Sequence, residues 1–552
     1  MSKATDNYKL WVKEVKDPDI AAQLAAMRGD GKAIENAFYR DLEFGTGGLR
    51  GIIGAGTACL NVYTVGKATE GVARFMDRSG LKSAAISYDS RNNSELFART
   101  AARVLAMHGI TVYISSELMP TPFLSYAVRA LKCGMGIMIT ASHNPAVYNG
   151  YKLYGADGCQ VMDEAADTVS KLIGGVDIFG VVPASYEEYA AKGLIEVIGG
   201  DTVDKYIAEV MSVSLGRAEG LKVVYSALNG AGYKLVPRVL KQLGAEVIAV
   251  PEQAQPDGNF PTCPYPNPEK PAALDLGLKL AAAKGADILI ATDPDADRVG
   301  IAVKHKGGYK LISGNEAGVL LVDYLLKGRK AAGTLPVKPV IVKTIVTSGL
   351  GARVAAGYGA KTADVLTGFK YIGGVMEKLL AAGELDRFVI GFEESYGYLA
   401  GTHVRDKDAV VASMLIAEMC AAYKSKGKTL VDVIESIYAK YGYYQHIGDS
   451  YEYPGAAGSI TMKKLLGDLR AALPSKVGGL KITRTIDYLT QKEFDLPRAD
   501  VLQFDLEGGA QVIIRPSGTE PLIKTYLTVC KTIEQNKRIF AAIQADMDKL
   551  LK

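Results

Sequence analysis

Cysteine is scarce in this chain and carries no pattern. The six cysteines, Cys59, Cys133, Cys159, Cys263, Cys420 and Cys530, are scattered over 552 residues without a Cys-x-x-Cys pair or zinc-like spacing. Buried, reduced thiols are expected, and a disulfide scaffold is excluded. Long apolar runs are also missing. No stretch reaches the roughly 18 residues that span a bilayer, and the opening MSKATDNYKLWVKEVKD has no apolar signal-peptide core. These absences predict a cytoplasmic protein with no membrane partner. Charge of one sign is not in excess: 64 Lys and Arg stand against 60 Asp and Glu, a net charge of +4. Nothing in that balance calls for a nucleic-acid partner.

Nucleotide signatures are absent as well. Gly427-Lys428-Thr429 has Ala422 where a phosphate-binding loop needs its first glycine. Neither Gly45-Thr46-Gly47, which continues to Arg50, nor Gly349-Leu350-Gly351, which continues to Val354, completes a dinucleotide fingerprint. No Gly-x-Ser-x-Gly elbow marks an acyl-transfer serine. Kinase and dehydrogenase chemistry is disfavoured.

What is there is a globular composition, 48% hydrophobic and 22% charged, in a chain too long for one core. Its length predicts three or four domains at about 150 residues each. After a helical, polar opening, strand-like and helix-like segments alternate: SAAISY, then ELFARTAARVLAMHG, TVYISS and GIMIT. The alternation restarts near 200, with LKVVYSAL, AEVIAVP and ADILIAT, and again near 335, with PVIVKTIV, AKTADVL and RFVIG. Such alternation predicts parallel α/β units. A Pro-rich loop, QPDGNFPTCPYPNPEKP, interrupts the second unit. From about 440 the pattern changes to isolated strands such as AQVIIRP, fewer long helices and a final amphipathic helix. The expected fold is α/β, three similar mixed α/β domains at 1–200, 201–315 and 316–438, then a smaller C-terminal α+β domain at 439–552.

Four apolar strands each run into a compact polar loop, one per unit: ASHNP, DPDADR, FEESYG and PSGTEP. A single such loop reads equally well as a turn. Four of them predict one cleft built from every domain. Asp293, Asp295 and Asp297 place carboxylates at alternate positions, suited to an oxygen-preferring divalent cation. An EF-hand is excluded, because Arg298 and Lys304 fall where it needs Gly and Glu. Ser142 suits phosphoryl transfer beside a cation, while His143 reads as either a structural hydrogen-bonder or a direct participant. Arg515, Ser517 and the glycine between the hydroxyls suit an anion. Glu393 and Glu394 suit sugar hydroxyls or, equally, an exposed acidic pair.

TASHNP, DPDADR, GFEESYG and RPSGTEP, in that order, resemble the α-D-phosphohexomutase superfamily, and within it the phosphoglucomutase/phosphomannomutase family. The resemblance covers essentially the whole chain and implies four domains around a central cleft. It implies an isomerase, an intramolecular phosphotransferase that interconverts glucose 1-phosphate and glucose 6-phosphate. Ser142 carries the phosphoryl group, and a glucose 1,6-bisphosphate serves as intermediate and primer. One Mg²⁺ per chain is implied on Asp293, Asp295 and Asp297, with a phosphoryl oxygen on Ser142 completing the set. By the same resemblance, Arg298 and His143 help hold phosphate, Glu393 and Ser395 hold the sugar, and Arg515, Ser517, Gly518 and Thr519 grip the non-reacting phosphate. FGTGGLRG nominates Arg50, NGYK nominates Lys152, THVRDKD nominates His403 and Lys407 for proton transfer, and TGFKYIG nominates Lys370 for the substrate. Tyr396 stands where the glucose-specific members carry Phe. That variant is shared with phosphopentomutases and glucose-1,6-bisphosphate synthases, so phosphomannomutase, phosphopentomutase and synthase activities stay open. The partners implied are sugar phosphates, for a monomer or homodimer.

Overall fold

The structure is a computed structural model that describes residues 2–45, 47–453, 455–517 and 522–552. Three helices, Lys3–Glu14, Pro18–Ala26 and Gly31–Phe38, open the chain and pack around the buried Trp11. A six-stranded sheet follows, built from β1 (Gly48–Ile52), β2 (Ser83–Tyr88), β3 (Thr111–Ser115), β4 (Met135–Ile139), β5 (Tyr148–Gly155) and β6 (Ile195–Ile198). Its order is β1-β5-β4-β2-β3-β6, with β1 and β5 running antiparallel at one side. All five residues of β4 are buried, which is why its sequence reads as an unbroken apolar run.

The second unit holds β7 (Lys222–Ser226), β8 (Glu246–Ala249), β9 (Ile288–Thr292), β10 (Val299–His305) and β11 (Gly308–Ile312), in the order β11-β10-β9-β7-β8. The third holds β12 (Val340–Thr344), β13 (Lys361–Val365), β14 (Phe388–Glu393) and β15 (Gly397–Ala400), in the order β13-β12-β14-β15. These sheets are mixed. Three of the four polar loops singled out above join a buried strand to its antiparallel neighbour: β4 to β5, β9 to β10, and β14 to β15. These loops are therefore hairpin connections, not the strand-to-helix turns of a purely parallel sheet. A tight return leaves few residues at the tip and directs them away from the sheet edge.

The tail departs from expectation. Its strands are not isolated: β16 (Tyr444–Glu452), β17 (Lys476–Val477), β18 (Leu480–Asp487), β19 (Leu502–Leu506), β20 (Gln511–Pro516) and β21 (Leu522–Cys530) form one antiparallel sheet. Two long helices, Gly455–Ala471 and Ile533–Leu551, accompany it. The first was hidden by its three glycines, each of which weakens a helical pattern by about 1 kcal/mol.

One apolar core runs through the first three units. At its centre lies helix Ala409–Lys424, with 13 of its 16 residues buried. Each buried Leu, Ile, Val or Met there contributes about 1.5–3 kcal/mol against exposure. Its buried Glu418 accepts hydrogen bonds from the Tyr324 hydroxyl at 2.7 Å, from the Leu215 amide and from Ser214. The fourth unit has a separate core and meets the third through a small cluster of Ile345, Val346 and Leu366 with Ile486, Tyr488, Val501 and Ile513. Among the described residues no helix is long and apolar enough to cross a membrane.

His108 joins two helices of the first unit. Its ring nitrogens meet Asp77 at 2.7 Å and Glu70 at 2.8 Å. Burial alone disfavours the imidazolium, but the hydrogen bonds to Glu70 and Asp77 outweigh it, and the His108 pKa is raised. A raised folded-state pKa stabilises below the unfolded value, about 6.5 for histidine, and that contribution is lost as pH rises through the folded value. The Tm advantage of the parent over His108→Gln is therefore expected to be largest near pH 6 and to shrink toward pH 9. A pH-independent difference in thermal scans would refute it.

Candidate active site

The loop after β4 turns sharply. Ser142 has φ 52°, a left-handed conformation that costs a non-glycine residue about 1–3 kcal/mol. The surroundings enforce it. The Ser142 amide donates to Thr140 Oγ1 at 2.7 Å, and its carbonyl accepts from Arg91. So held, the buried Ser142 donates its hydroxyl to Asp293 Oδ2 at 2.8 Å, across to the second unit. His143 Nδ1 lies 3.2 Å from the same hydroxyl. Burial first, then Arg298 and Arg50, hold the His143 pKa well below its ordinary value.

Asp293, Asp295 and Asp297 are all buried, and one carboxylate oxygen of each lies within 4.8 Å of the others. Their charges are balanced unevenly. Burial and the neighbouring charges of Asp295 and Asp297 push Asp293 well above the usual carboxylate range. Burial opposes ionisation of Asp295 too, but the ammonium of Lys152 and hydrogen bonds from Lys152, Asp293 and Thr121 hold its pKa far below normal. Lys152 Nζ lies 2.9 Å from Asp295 and 3.6 Å from Asp297. Lys407 Nζ lies 3.2 Å from both Asp297 and Asp406. For both lysines burial works against the charge, and the carboxylates override it and raise the pKa. Oδ1 of Asp295 and Oδ1 of Asp297 are buried without a hydrogen-bond partner. Three converging carboxylates, two of them carrying an orphaned oxygen, fit a divalent cation such as Mg²⁺.

The FEESYG loop is sewn to the acidic one. The Val299 amide donates to the Tyr396 carbonyl at 3.1 Å, and Arg298 bridges to Gly397. Gly397 admits Lys407, whose Cδ would lie 2.2 Å from any Cβ there. Glu393 is buried and accepts the Gly368 amide at 3.0 Å; burial raises its pKa against the pull of Lys407 and Arg298. Ser395 is half-buried in the same turn. Glu394, by contrast, is engaged by the Thr347 hydroxyl at 3.0 Å and by Thr344.

Arg298 donates to Glu269 of the Pro-rich loop at 2.5 Å. Arg50, exposed on β1, donates to the Asn144 side chain at 3.3 Å. Lys370 donates to Asp163 of the first unit at 2.6 Å. Arg515 is half-buried on β20 beside Tyr526, whose hydroxyl is pushed up to about 12 by burial, with Arg515 opposing and Glu394 and Glu393 adding. The amide of Ser517 donates to the Leu522 carbonyl at 2.8 Å. Gly518 and Thr519 lie outside the described residues.

The geometry thus brings Ser142, His143, the three aspartates, Lys152, Arg298, Glu393 and Lys407 together. His403 is corrected: the structure does not place it with them. Its side chain is 1% exposed, pairs with Asp408 at 2.8 Å and packs against Tyr206, because the segment folds it back into the shared core. Sequence reasoning also missed contributors. Thr121 donates to Asp295 Oδ2 at 2.8 Å, and Tyr154 donates to Asp406 at 2.7 Å. Arg91 and Asp89 sit in DSR, straight after β2, a polar strand end of the same kind as the four already noted.

Comparison with known proteins places this architecture. Profiles described as phosphoglucomutase/phosphomannomutase alpha/beta/alpha domains I, II and III match residues 41–177, 204–308 and 313–441, and that of the C-terminal domain matches 470–545. The phosphoglucomutase of Staphylococcus haemolyticus is 36% identical over 514 residues, covering 90% of this chain and 91% of that protein. Among solved structures, the open form of the Paramecium phosphoprotein parafusin, a phosphoglucomutase, is similar with a TM-score of 0.70 and 18% identity, covering 93% of this chain and 95% of that one. N-acetylphosphoglucosamine mutase of Aspergillus fumigatus, solved with GlcNAc-6P and magnesium, is similar with a TM-score of 0.51 and 14% identity, covering 97% of this chain and all of that one. Four matched domains in sequence and a relative aligned over nearly its whole length carry one conclusion: the chain belongs to the phosphoglucomutase/phosphomannomutase family.

Proposed function

We propose that this enzyme interconverts glucose 1-phosphate and glucose 6-phosphate through phospho-Ser142 and glucose 1,6-bisphosphate. The observation that carries the reading is the Ser142 hydroxyl, directed 2.8 Å from Asp293 in a buried acidic triad flanked by two lysines. The aspartates would hold Mg²⁺, as the Aspergillus mutase was solved with magnesium. Bound there, the cation would neutralise charge on the transferring phosphoryl group.

The lysines have a built-in change of state. Each ammonium is kept charged by the same carboxylates that suit a cation. Were those carboxylates shared with a cation, burial, which disfavours the ammonium, would gain weight and leave more of the amine unprotonated and free to accept a proton. Lys152 or Lys407 then takes the proton of the attacking sugar hydroxyl. Arg298 and His143 steady the phosphate on Ser142, with Arg50 at the loop's outer edge. Glu393 and Ser395 accept and donate to sugar hydroxyls, and Lys370 reaches the substrate when it releases Asp163. The Arg515–Ser517 segment, with Gly518 and Thr519, grips the non-reacting phosphate. The bisphosphate turns over between the two phosphate positions, with the fourth unit moving as a lid. We assign domain limits at 1–200, 201–315, 316–438 and 439–552, and a cytoplasmic monomer or homodimer.

Sugar choice gives the test. Glucose and mannose phosphates share equatorial 3- and 4-hydroxyls, which Glu393 and Ser395 suit. A pentose phosphate is one carbon shorter and separates its phosphate from the reacting oxygen differently. With a glucose 1,6-bisphosphate primer, kcat/KM is expected to fall in the order glucose, mannose, ribose 1-phosphate. If ribose 1-phosphate is best, the protein is a phosphopentomutase.

A further inference from the structure

The guanidinium of Arg91 lies beneath the phosphoserine loop, yet no step of the proposed cycle uses it. Its side chain is fully buried. Nη1 donates to the carbonyls of Pro145 and Tyr148, both at 3.0 Å, and Nη2 donates to those of Ser142 and Asn144. Four carbonyls of one short segment therefore converge on one cation.

That cation is itself fixed on two sides. Asp89 Oδ2 lies 3.4 Å from Arg91 Nε, and Asp89 also accepts from the hydroxyls of Ser94 and Thr140. Thr140 is the residue that accepts the Ser142 amide. From the second unit, the ring of Phe260 lies 5.1 Å from the guanidinium. Phe260 belongs to the Pro-rich loop, is 1% exposed and itself has a left-handed φ of 47°. The same loop meets the first unit through Asn259 and Asn92 at 3.0 Å, and supplies Glu269 to Arg298. The loop thus contacts both Arg91 and Arg298.

A left-handed serine persists only where its surroundings over-determine it. Thr140 fixes the amide side of Ser142, and Arg91 fixes the carbonyl side. We propose that Arg91 is a positioning residue for phosphoryl transfer: it sets the turn that aims Ser142 at Asp293, and the Pro-rich loop keeps it seated through Phe260. Arg91 reaches no reacting atom. Its planar fork serves carbonyls on two separate nitrogens, which the single ammonium of lysine cannot copy. The inference rests on Ser142 being the phosphoryl carrier.

The test uses the full-length enzyme with Arg91→Lys and Phe260→Ala. Phosphorylation of Ser142 by glucose 1,6-bisphosphate is followed by rapid quench and intact mass. KM for glucose 1-phosphate, Tm and amide exchange across residues 140–147 and the flanking strands are measured alongside. Arg91→Lys is expected to slow phosphorylation and kcat about 100-fold, the scale of an ångström-sized misplacement, with KM within about twofold. Exchange should quicken across 140–147 and not in the flanking strands β4 and β5. Phe260→Ala should act in the same direction by about tenfold. Parent-like phosphorylation or parent-like exchange in Arg91→Lys overturns the inference. If that variant does not fold, an unchanged rate and unchanged exchange in Phe260→Ala overturn it instead. Failure of the mutase reading shows differently: the unaltered enzyme then takes no phosphate on Ser142, while the exchange result still decides what Arg91 holds.

Discussion

Ser142→Ala leaves a folded protein with no mutase turnover. The hydroxyl makes one strong contact, its hydrogen bond to Asp293. Asp293 keeps its other oxygen bonded to the amides of Asp297 and Arg298 at 3.1 and 3.0 Å. Alanine tolerates the left-handed turn no worse than serine does. The stability loss is therefore about 1–3 kcal/mol, the usual cost of leaving one buried acceptor short of a donor. Activity has no such fallback. Without an oxygen at this point there is nothing to carry the phosphoryl group, and the rate falls on the order of 10⁶-fold, as when a covalent nucleophile is removed. Coupled assay with glucose 1-phosphate and a bisphosphate primer measures the loss, and thermal scans separate it from unfolding. Turnover at the parent rate would end the phosphoserine mechanism.

Asp295→Asn attacks the other half of the site. The side chain is fully buried, bonded to Lys152 at 2.9 Å and to Thr121 at 2.8 Å, with its remaining oxygen unpartnered. Asparagine keeps the shape and one carbonyl oxygen but loses the charge. Its amide can also be turned toward Lys152, where two donors face each other. Even residues that only support a metal ligand change affinity by 10–100-fold. Loss of a ligand's charge should thus raise the Mg²⁺ needed for half-maximal rate about 100-fold. The curve of turnover against Mg²⁺ concentration decides, and an unshifted midpoint would reduce the triad to an ordinary buried acidic cluster.

The site was legible in the sequence to the extent that its chemistry lies in short contiguous loops. Asp293, Asp295 and Asp297 declare themselves by spacing, and Ser142 by ending an apolar run. The fold was legible where burial writes a pattern: β4, β9 and β14 are buried throughout and read as unbroken apolar runs. Edge elements were not. The edge strand β16 depends on β21, a partner far away in sequence. His403 shows the same limit from the other side. Its neighbours in sequence, Asp406 and Lys407, face the triad, while it turns inward to Asp408 and Tyr206. A one-dimensional motif cannot tell these directions apart. Arg91 escaped because its ligands are backbone carbonyls, which leave no mark on residue type.

The uneven sharing of cores also bears on how such a protein can be altered by descent or by design. Helix Ala409–Lys424 is buried in a core to which three units contribute, so none of those units can be exchanged without recutting complementary surfaces in the other two. The fourth unit brings its own core and meets the third through a small apolar cluster, one ion pair and two tyrosines. A gene segment encoding it can be replaced by that of a relative by matching that cluster, the Lys378–Asp495 ion pair and the seat of Tyr443 and Tyr444 on the shared core. Because Arg515 lies on this unit and Ser142 does not, such grafts would, under the proposed roles, diversify how a substrate is gripped while the serine loop is inherited intact.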